Sequence, residues 1–225
     1  MKKLYPESAV EIDGLLARHY GFLLNLVTFG KYKKFIIKAV KEMKINPDDK
    51  IIDFGAGPGY NAQFMLEYLG SKGKILGLDI GEEAISKFRE KFEGIGNVSI
   101  EKKRIDDTLP YQQSFDKALI SFVIHGLPHP SREKLLDNAR DVLNKEGTLF
   151  ILDYGSFELS SLPFYIRIPF KLFECKFAFD YLERDWRGIL LDHGFEVVEN
   201  RSYFKNFTRL LVAKKYTNGC SRNPE

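Results

Sequence analysis

Short apolar runs alternate with amphipathic helical patterns along most of the chain. The apolar runs that predict strands are Lys50–Gly55, Lys74–Ile80, Val98–Lys103, Phe115–Phe122, Gly147–Tyr154, Phe195–Phe204 and Thr208–Lys215. The stretches between them repeat apolar residues with helical spacing, and after Ser131 these are Leu135, Leu136, Ala139, Val142 and Leu143. Strands that alternate with helices indicate a parallel sheet covered by helices on both faces.

The last two runs are separated by only Lys205 and Asn206, which is the spacing of a β-hairpin. A hairpin makes the final strand antiparallel to its neighbour. The pattern therefore predicts an α/β fold, with a Rossmann-like, seven-stranded, mostly parallel sheet and an antiparallel last strand. Before the hairpin, Asp180 and Glu183 resemble a capping box and predict the start of a helix that Gly194 ends.

The N-terminal segment, 1–45, predicts a helical cap ahead of the main domain at 46–215. One helical stripe of this cap is apolar, and another carries Lys31, Lys34, Lys38 and Lys41. The lysines fit a solvated helix face, which is the commoner use of lysine, or attraction to an anionic membrane surface or nucleic acid. The polar tail at 216–225 is expected to be disordered.

Composition narrows the class of protein. The chain has 225 residues, of which 44% are hydrophobic, enough for one α/β domain with a substantial core. The net charge of +3 is too small to indicate a nucleic-acid partner. The two cysteines and four histidines show neither a disulfide framework nor zinc-ligand spacing. Since no apolar run has the length of a membrane span or a secretory signal, we expect a cytoplasmic protein without a metal.

The most informative segment is Ile51–Tyr60, in which an apolar strand runs into glycines at 55, 57 and 59. Glycines permit a tight turn and close approach of backbone N–H groups to a ligand. Asp79 ends the next predicted strand, where an acid can accept hydrogen bonds from ribose hydroxyls. Because the carboxyl ends of parallel strands meet at one edge of a sheet, the loop, Asp79, Asp106 and Asp107 should converge there.

The glycine spacing separates two classes of ligand. A dinucleotide fingerprint is GxGxxG, whereas this run is GxGxG and has Tyr60 where the third glycine of the fingerprint would fall. Several acids around a ribose site also favour a ligand with positive charge over one with a pyrophosphate.

This loop resembles motif I of the class I S-adenosylmethionine (SAM)-dependent methyltransferases. Later stretches resemble further motifs of the family in the same order: LDI at 78–80, DDTLP at 106–110, SFDKALISFVIHGLPHP at 114–130 and LNKEGTLFILDY at 143–154. The resemblance covers residues 45–155, and its nearest branch is the quinone-biosynthesis C-methyltransferases with their type 11 relatives.

The resemblance implies SAM as the methyl donor and S-adenosylhomocysteine as the product. The residues that it implies for cofactor binding are Asp53, Gly55, Gly57, Gly59, Asp79, Ile80, Asp106 and Ser121. The glycines would bring backbone against the methionine part, and Asp53 would help to hold its ammonium group. Asp79 would bind the ribose hydroxyls, and Ile80 would pack on the adenine. Asp106 would contact the adenine amino group, and Ser121 would lie near the reacting centre.

His125 is the candidate catalytic base, because it follows the fourth strand and can titrate near neutrality. The competing interpretation is a histidine with a structural role. Aromatic residues are concentrated between Phe157 and Tyr181, in an insertion that spans about 156–180. The resemblance implies that this insertion is a lid over the acceptor.

An aromatic lid favours a small hydrophobic acceptor, quinol-like or lipid-like, which could be drawn from a membrane surface. No nucleic-acid partner is expected. The alternatives left open are an RNA or protein methyltransferase, a nicotinamide-dependent oxidoreductase and a SAM-binding protein without catalysis.

Overall fold

One seven-stranded sheet organises the computed structural model, which describes residues 32–161, 164, 167, 168, 170 and 176–216. The strands are β1 (Lys50–Phe54), β2 (Lys74–Asp79), β3 (Val98–Lys102), β4 (Phe115–Ser121), β5 (Leu143–Tyr154), β6 (Phe195–Tyr203) and β7 (Thr208–Lys215). The helices of these residues are α1 (Tyr32–Glu42), α2 (Tyr60–Leu66), α3 (Glu82–Lys91), α4 (His129–Val142), α5 (Lys176–Leu182) and α6 (Trp186–Asp192).

The strand order is β3-β2-β1-β4-β5-β7-β6. All neighbours from β3 to β5 are parallel, whereas β7 is antiparallel to both β5 and β6. The predicted Rossmann-like sheet with an antiparallel last strand is therefore confirmed. The β6–β7 turn passes through Phe204, Lys205 and Asn206, whose φ values are 49, 56 and 69°. This left-handed run reverses the chain within a short turn.

Alternating side chains along the strands divide the core into two layers. On one face, Ile51 and Ile75 pack in a cluster with residues of α1, α2 and α3, including Phe35, Phe64 and Phe88. On the other face, the cluster contains Ile52 and Leu78 together with residues of α4, α5 and α6, including Leu135, Tyr181 and Trp186. Helices thus cover both faces, as the alternating pattern predicts.

One helix boundary differs from the prediction. The periodicity places Leu143 on the apolar face of a helix, but α4 ends at Val142 and Leu143 begins β5, where it pairs with Phe115. A fully buried leucine satisfies a helical and a strand pattern equally well, so periodicity alone does not separate the two.

The capping-box prediction is also wrong. Helix α5 ends at Leu182, and Asp185 caps the next helix through a 3.1 Å hydrogen bond that its Oδ1 accepts from the Arg187 N–H. The Asp180 carboxylate instead accepts hydrogen bonds from the guanidinium groups of Arg132 and Arg184, at 2.6 and 2.8 Å. Bonds between a carboxylate and a guanidinium carry charge on both partners, whereas a cap would pair the carboxylate with an uncharged backbone N–H.

Part of the predicted domain plan lies outside the described residues. This holds for 1–31 of the helical cap, for 217–225 of the tail, and for lid positions 162, 163, 165, 166, 169 and 171–175. Within the described ranges, no helix combines the length and apolar character that crossing a membrane requires.

Candidate functional site

The glycine loop follows β1 and bends the chain over the end of β2. Gly55, Gly57 and Gly59 have φ values of 75, 55 and 81°, in the left-handed region that residues with a Cβ rarely adopt. The N–H groups of Gly55 and Ala56 donate to the carbonyl oxygen of Leu78 at 2.8 and 3.0 Å. These bonds fix the loop at the carboxyl edge of the sheet, and α2 begins directly after it.

The three glycines differ in their surroundings. A Cβ at Gly55 would collide with Val123, and one at Gly59 would lie 2.5 Å from the ring of Phe92. A Cβ at Gly57 would meet no described atom within 4 Å. The first and third glycines are therefore required by packing, whereas Gly57 faces open space beside Asp79.

We expect Gly57→Ala and Gly59→Ala to separate binding from stability. Gly59→Ala should lower the free energy of unfolding by about 2–3 kcal/mol, because the added methyl group meets Phe88 and Phe92 and φ is positive. Gly57→Ala should lower the free energy of unfolding by only about 1 kcal/mol, because its φ is positive. It should instead weaken SAM binding, because its methyl group narrows the open space over the loop. Urea unfolding and SAM titration measure the two effects. Equal losses of stability with unchanged SAM affinity would contradict this assignment.

Asp79, the last residue of β2, holds the loop with its side chain. Its Oδ2 accepts a hydrogen bond from the Gly57 N–H at 2.8 Å, and its Oδ1 accepts from the N–H groups of Ile80 and Gly81, each at 2.8 Å. Each carboxylate oxygen has about two acceptor positions, so Oδ2 can accept a further donor from a ligand. Ile80 is partly buried beside it and packs against the core that contains α4.

Asp53 lies within β1, two residues before the first glycine. It is fully buried, and neither carboxylate oxygen has a hydrogen-bond partner in the described part of the chain. Burial, followed by the nearby charge of Asp79, raises the pKa of Asp53 to about 7. An ionised carboxylate in this position is costly, so a ligand that supplies a cation or a hydrogen-bond donor would stabilise it.

The turn after β3 carries the third predicted acid. Asp106 is buried, and its oxygens accept hydrogen bonds from Nε and an Nη of Arg104, at 3.1 and 2.9 Å. Asn138 of α4 donates to the carbonyl oxygens of Ile105 and Asp107, at 2.8 and 2.7 Å. The turn is thereby fixed, and its acid is partly neutralised by an arginine that the sequence reasoning did not consider.

The fourth strand leads to the predicted base. Ser121 ends β4 and is buried, and His125 lies in the short 3₁₀ helix Ile124–Gly126. The His125 ring nitrogen Nδ1 lies 2.7 Å from Oδ1 of Asp153, which is fully buried near the end of β5. With a carboxylate at Nδ1, the favoured tautomer carries its proton there and leaves Nε2 to accept a proton.

Sequence reasoning missed Asp153 as the partner of His125. The available signal was its position in the run ILDY, at the end of a strand that neighbours the strand leading to His125. The sequence reasoning counted Tyr181 among the aromatic residues of the insertion but did not place its ring next to that of His125, at a centroid distance of 6.5 Å. Burial, and to a smaller extent the charge of Asp153, raises the pKa of Tyr181.

Arg132 of α4 ties the turn that carries His125 to α5. Its guanidinium is fully buried and donates to the carbonyl oxygens of Ile124, His125 and Phe177, at 2.9, 3.0 and 2.5 Å. The guanidinium also donates a fourth hydrogen bond, to the Asp180 carboxylate at 2.6 Å. Since α5 includes the C-terminal end of the predicted lid segment, one buried cation anchors that end beside His125.

The His125 ring packs against the rings of two tyrosines, Tyr154 and Tyr181. The His125 and Tyr154 ring centroids are 4.6 Å apart. The Tyr154 ring in turn contacts those of Phe157, Phe170 and Phe207, at centroid distances of 6.3, 5.1 and 5.6 Å. Of the aromatic residues of the insertion, Phe157 and Phe170 therefore pack on Tyr154, which in turn packs on the candidate base, on the side where the resemblance implies the acceptor.

Comparisons with known proteins address the same part of the chain. Residues 45–176 match the protein family described as "Methyltransferase domain". The ubiquinone/menaquinone biosynthesis C-methyltransferase UbiE of Francisella philomiragia is 23% identical over 226 residues, which cover 89% of this chain and 88% of that protein. The demethylmenaquinone methyltransferase of Lactobacillus johnsonii is 28% identical over 152 residues, which cover 66% of this chain and 62% of that protein.

A solved structure supports the fold. The SAM-dependent methyltransferase from Aquifex aeolicus superimposes with a TM-score of 0.61 at 22% identity, and the match covers 80% of this chain and 89% of that one. At this identity the likeness is one of architecture.

Proposed function

This chain belongs to the methyltransferase-domain family, and from that premise we propose that it transfers a methyl group from SAM to a small hydrophobic acceptor. The observation that carries the proposal is the buried Asp53 carboxylate. It lies just before a glycine loop that Asp79 fixes, and it has no hydrogen-bond partner in the described ranges. A ligand with an ammonium group near a ribose supplies a cation for Asp53 and hydroxyl donors for Asp79.

The residues present fit SAM better than a dinucleotide. SAM carries a cationic amino acid end, whereas a dinucleotide would bring a pyrophosphate towards Asp53 and Asp79. The open space over Gly57 allows a ligand to approach the backbone. In this proposal the glycines face the methionine part and Asp53 helps to hold its ammonium group. Asp79 binds the ribose, Ile80 packs on the adenine, and Asp106 contacts the adenine amino group.

When bound, SAM supplies a methyl group that its sulfonium already activates for transfer. The chain's residues then have two tasks. The first is to hold the acceptor in line with the reacting bond, since positioning of this kind is worth up to roughly 7–11 kcal/mol. The second arises if the acceptor must lose a proton. His125 Nε2 accepts that proton, while Asp153 holds the ring and stabilises the imidazolium that forms.

The acceptor is assigned to the small hydrophobic class by its surroundings. Tyr154 packs on His125, and Phe157, Phe170 and Phe207 pack on Tyr154, so the side of the site that carries His125 is aromatic and suits a planar or lipid-like molecule. The names of the two quinone-biosynthesis relatives agree with this class. We propose a quinol-like acceptor first, because a ring hydroxyl gives His125 a proton to remove. A phospholipid amine has less need of a base.

Calorimetry with SAM and with NADH tests the cofactor part of the proposal. We expect SAM to bind and NADH not to bind.

Asp79→Ala should weaken SAM binding by about tenfold or more, because each lost charge-assisted hydrogen bond is worth ~1.5–3 kcal/mol. Asp192→Ala, at an exposed acid ending α6, is the matched control and should leave affinity unchanged. Binding of NADH without SAM would reject the proposal, and unchanged affinity in Asp79→Ala would remove that residue from the site.

A further inference from the structure

Helix α1 is amphipathic, and its outer face combines lysines with an exposed apolar residue. Phe35, Ile36, Ala39, Val40 and Met43 are buried against the sheet. The opposite face carries exposed Lys34, Lys38 and Lys41 around Ile37, which retains 37% of its surface. A solvated helix face explains the lysines, and one exposed isoleucine among them is ordinary, so this helix indicates a partner only together with its neighbours.

The β6–β7 turn extends this face. The ring of Phe35 lies 5.0 Å from Tyr203 and 5.2 Å from Phe204, and Lys38 Nζ lies 5.4 Å from the Tyr203 ring. Phe204 has a φ of 49° and remains 42% exposed, next to the exposed Lys205. A bulky residue in the left-handed region is strained, and here the strained turn presents a phenylalanine to solvent.

The charge of this region is positive. Its acidic neighbours Glu42 and Glu199 both pair with Arg201, at 2.9 and 2.6 Å, and Glu199 also lies 3.5 Å from Lys44. These acids are therefore neutralised by their own partners and do not offset the lysines of α1. What remains is a basic area with two exposed apolar side chains.

The same region adjoins the candidate active site. The Phe35 ring contacts that of Phe122 at 6.2 Å, and Phe122 directly follows Ser121 at the end of β4. The β6–β7 turn also lies at the carboxyl edge, because Thr208 at the start of β7 pairs with Tyr154 at the end of β5. A partner that binds this region would therefore lie close to the acceptor side of the site.

We propose that the exposed residues Lys34, Ile37, Lys38, Lys41, Phe204 and Lys205 form a docking surface for an anionic lipid bilayer. Lysines are attracted to anionic headgroups, and exposed apolar side chains insert at the headgroup boundary. Nucleic acid would use the lysines, and a base can stack on Phe204, but it has no role for the aliphatic Ile37 on this surface. The inference rests on the proposed function, since a bilayer is the reservoir from which a hydrophobic acceptor would reach the site.

Vesicle flotation of the full chain tests the docking surface. We expect binding to vesicles containing about 30% phosphatidylglycerol, little binding to phosphatidylcholine alone, and release in about 0.5 M salt. Lys34→Glu with Lys38→Glu should reduce the partition coefficient by about tenfold or more. Phe204→Ser should reduce it less and leave its salt dependence unchanged. The control is Lys72→Glu with Lys145→Glu, two exposed lysines at the opposite edge of the sheet, which should bind like the unmodified protein.

Three results would overturn this inference: equal binding to both kinds of vesicle, equal losses in the test and control variants, or binding of the chain to RNA but not to anionic vesicles. SAM calorimetry on the same variants separates it from the proposed function. Retained SAM binding without vesicle binding rejects the docking surface alone, whereas absent SAM binding in the unmodified chain rejects the proposed function.

Discussion

Asp53→Asn should weaken SAM binding by roughly a hundredfold while making the free protein more stable at alkaline pH. The affinity falls because the variant removes the buried charge that we assign to the SAM ammonium group. The stability rises because the carboxylate is buried, has no hydrogen-bond partner in the described chain and must ionise when the pH exceeds its pKa of about 7.

The pH dependence has a definite sign. The pKa of Asp53 is raised from 3.8 to about 7 in the folded protein, so between these values the folded state binds more protons than the unfolded state. Its contribution therefore lowers stability as the pH rises from about 4 to about 7 and is constant above that range. At about pH 8 the buried carboxylate lowers the free energy of unfolding by up to roughly 4 kcal/mol. The gain in Asp53→Asn is smaller than this, because burying the amide costs about 1–3 kcal/mol.

Thermal unfolding at about pH 4 and pH 8, together with SAM calorimetry, measures both effects of Asp53→Asn. Asp48→Asn, at an exposed acid just before β1 and so at the opposite edge of the sheet, is the control and should change neither quantity. A loss of stability at alkaline pH with unchanged SAM affinity would show that the Asp53 carboxylate has a structural partner and does not serve the ligand.

His125→Gln should lower kcat by roughly 10²–10⁴-fold, the range that general base catalysis supplies. SAM affinity should stay within about twofold, because the cofactor contacts that we propose lie on the glycine loop, β2 and the turn after β3, and not on the 3₁₀ helix that carries His125. Asp153→Asn should also lower kcat, since Nδ1 of His125 would lose the carboxylate that orients its ring. In His125→Gln the pH–rate profile should lose the limb that reports the base, whereas in Asp153→Asn, which keeps the imidazole, that limb should move to lower pH.

His129→Gln provides the matched control for these variants. His129 is a partly exposed histidine at the start of α4, only 3.8 Å from Glu133, and its replacement should leave kcat unchanged. Full activity of His125→Gln, with an unaltered pH profile, would assign His125 a structural role and favour an acceptor that needs no base.

The parts of the fold that depend on local pattern were predictable. The glycine loop, Asp79 at the end of its strand and the closing hairpin each follow from residues that are close in sequence. Element boundaries were not predictable where one residue fits both a helical and a strand pattern. Leu143 is the example, because a buried leucine suits both α4 and β5.

Pairings between distant residues were also beyond the sequence. His125 and Asp153 are separated by 28 residues, and Arg132 reaches Phe177 across 45. Periodicity tells which face of an element a residue occupies, but not which residue of another element it meets. The unpartnered state of Asp53 likewise depends on every neighbour in the core, so a strand pattern shows only that the residue is buried or exposed.

Transfer of a labelled methyl group from SAM into a cellular lipid extract tests the central claim most directly. We predict that the unmodified protein labels a small, organic-soluble molecule of the quinol class, and that His125→Gln labels far less. Label in a phospholipid would contradict the quinol-like acceptor, and no transfer by a protein that binds SAM would contradict the claim itself.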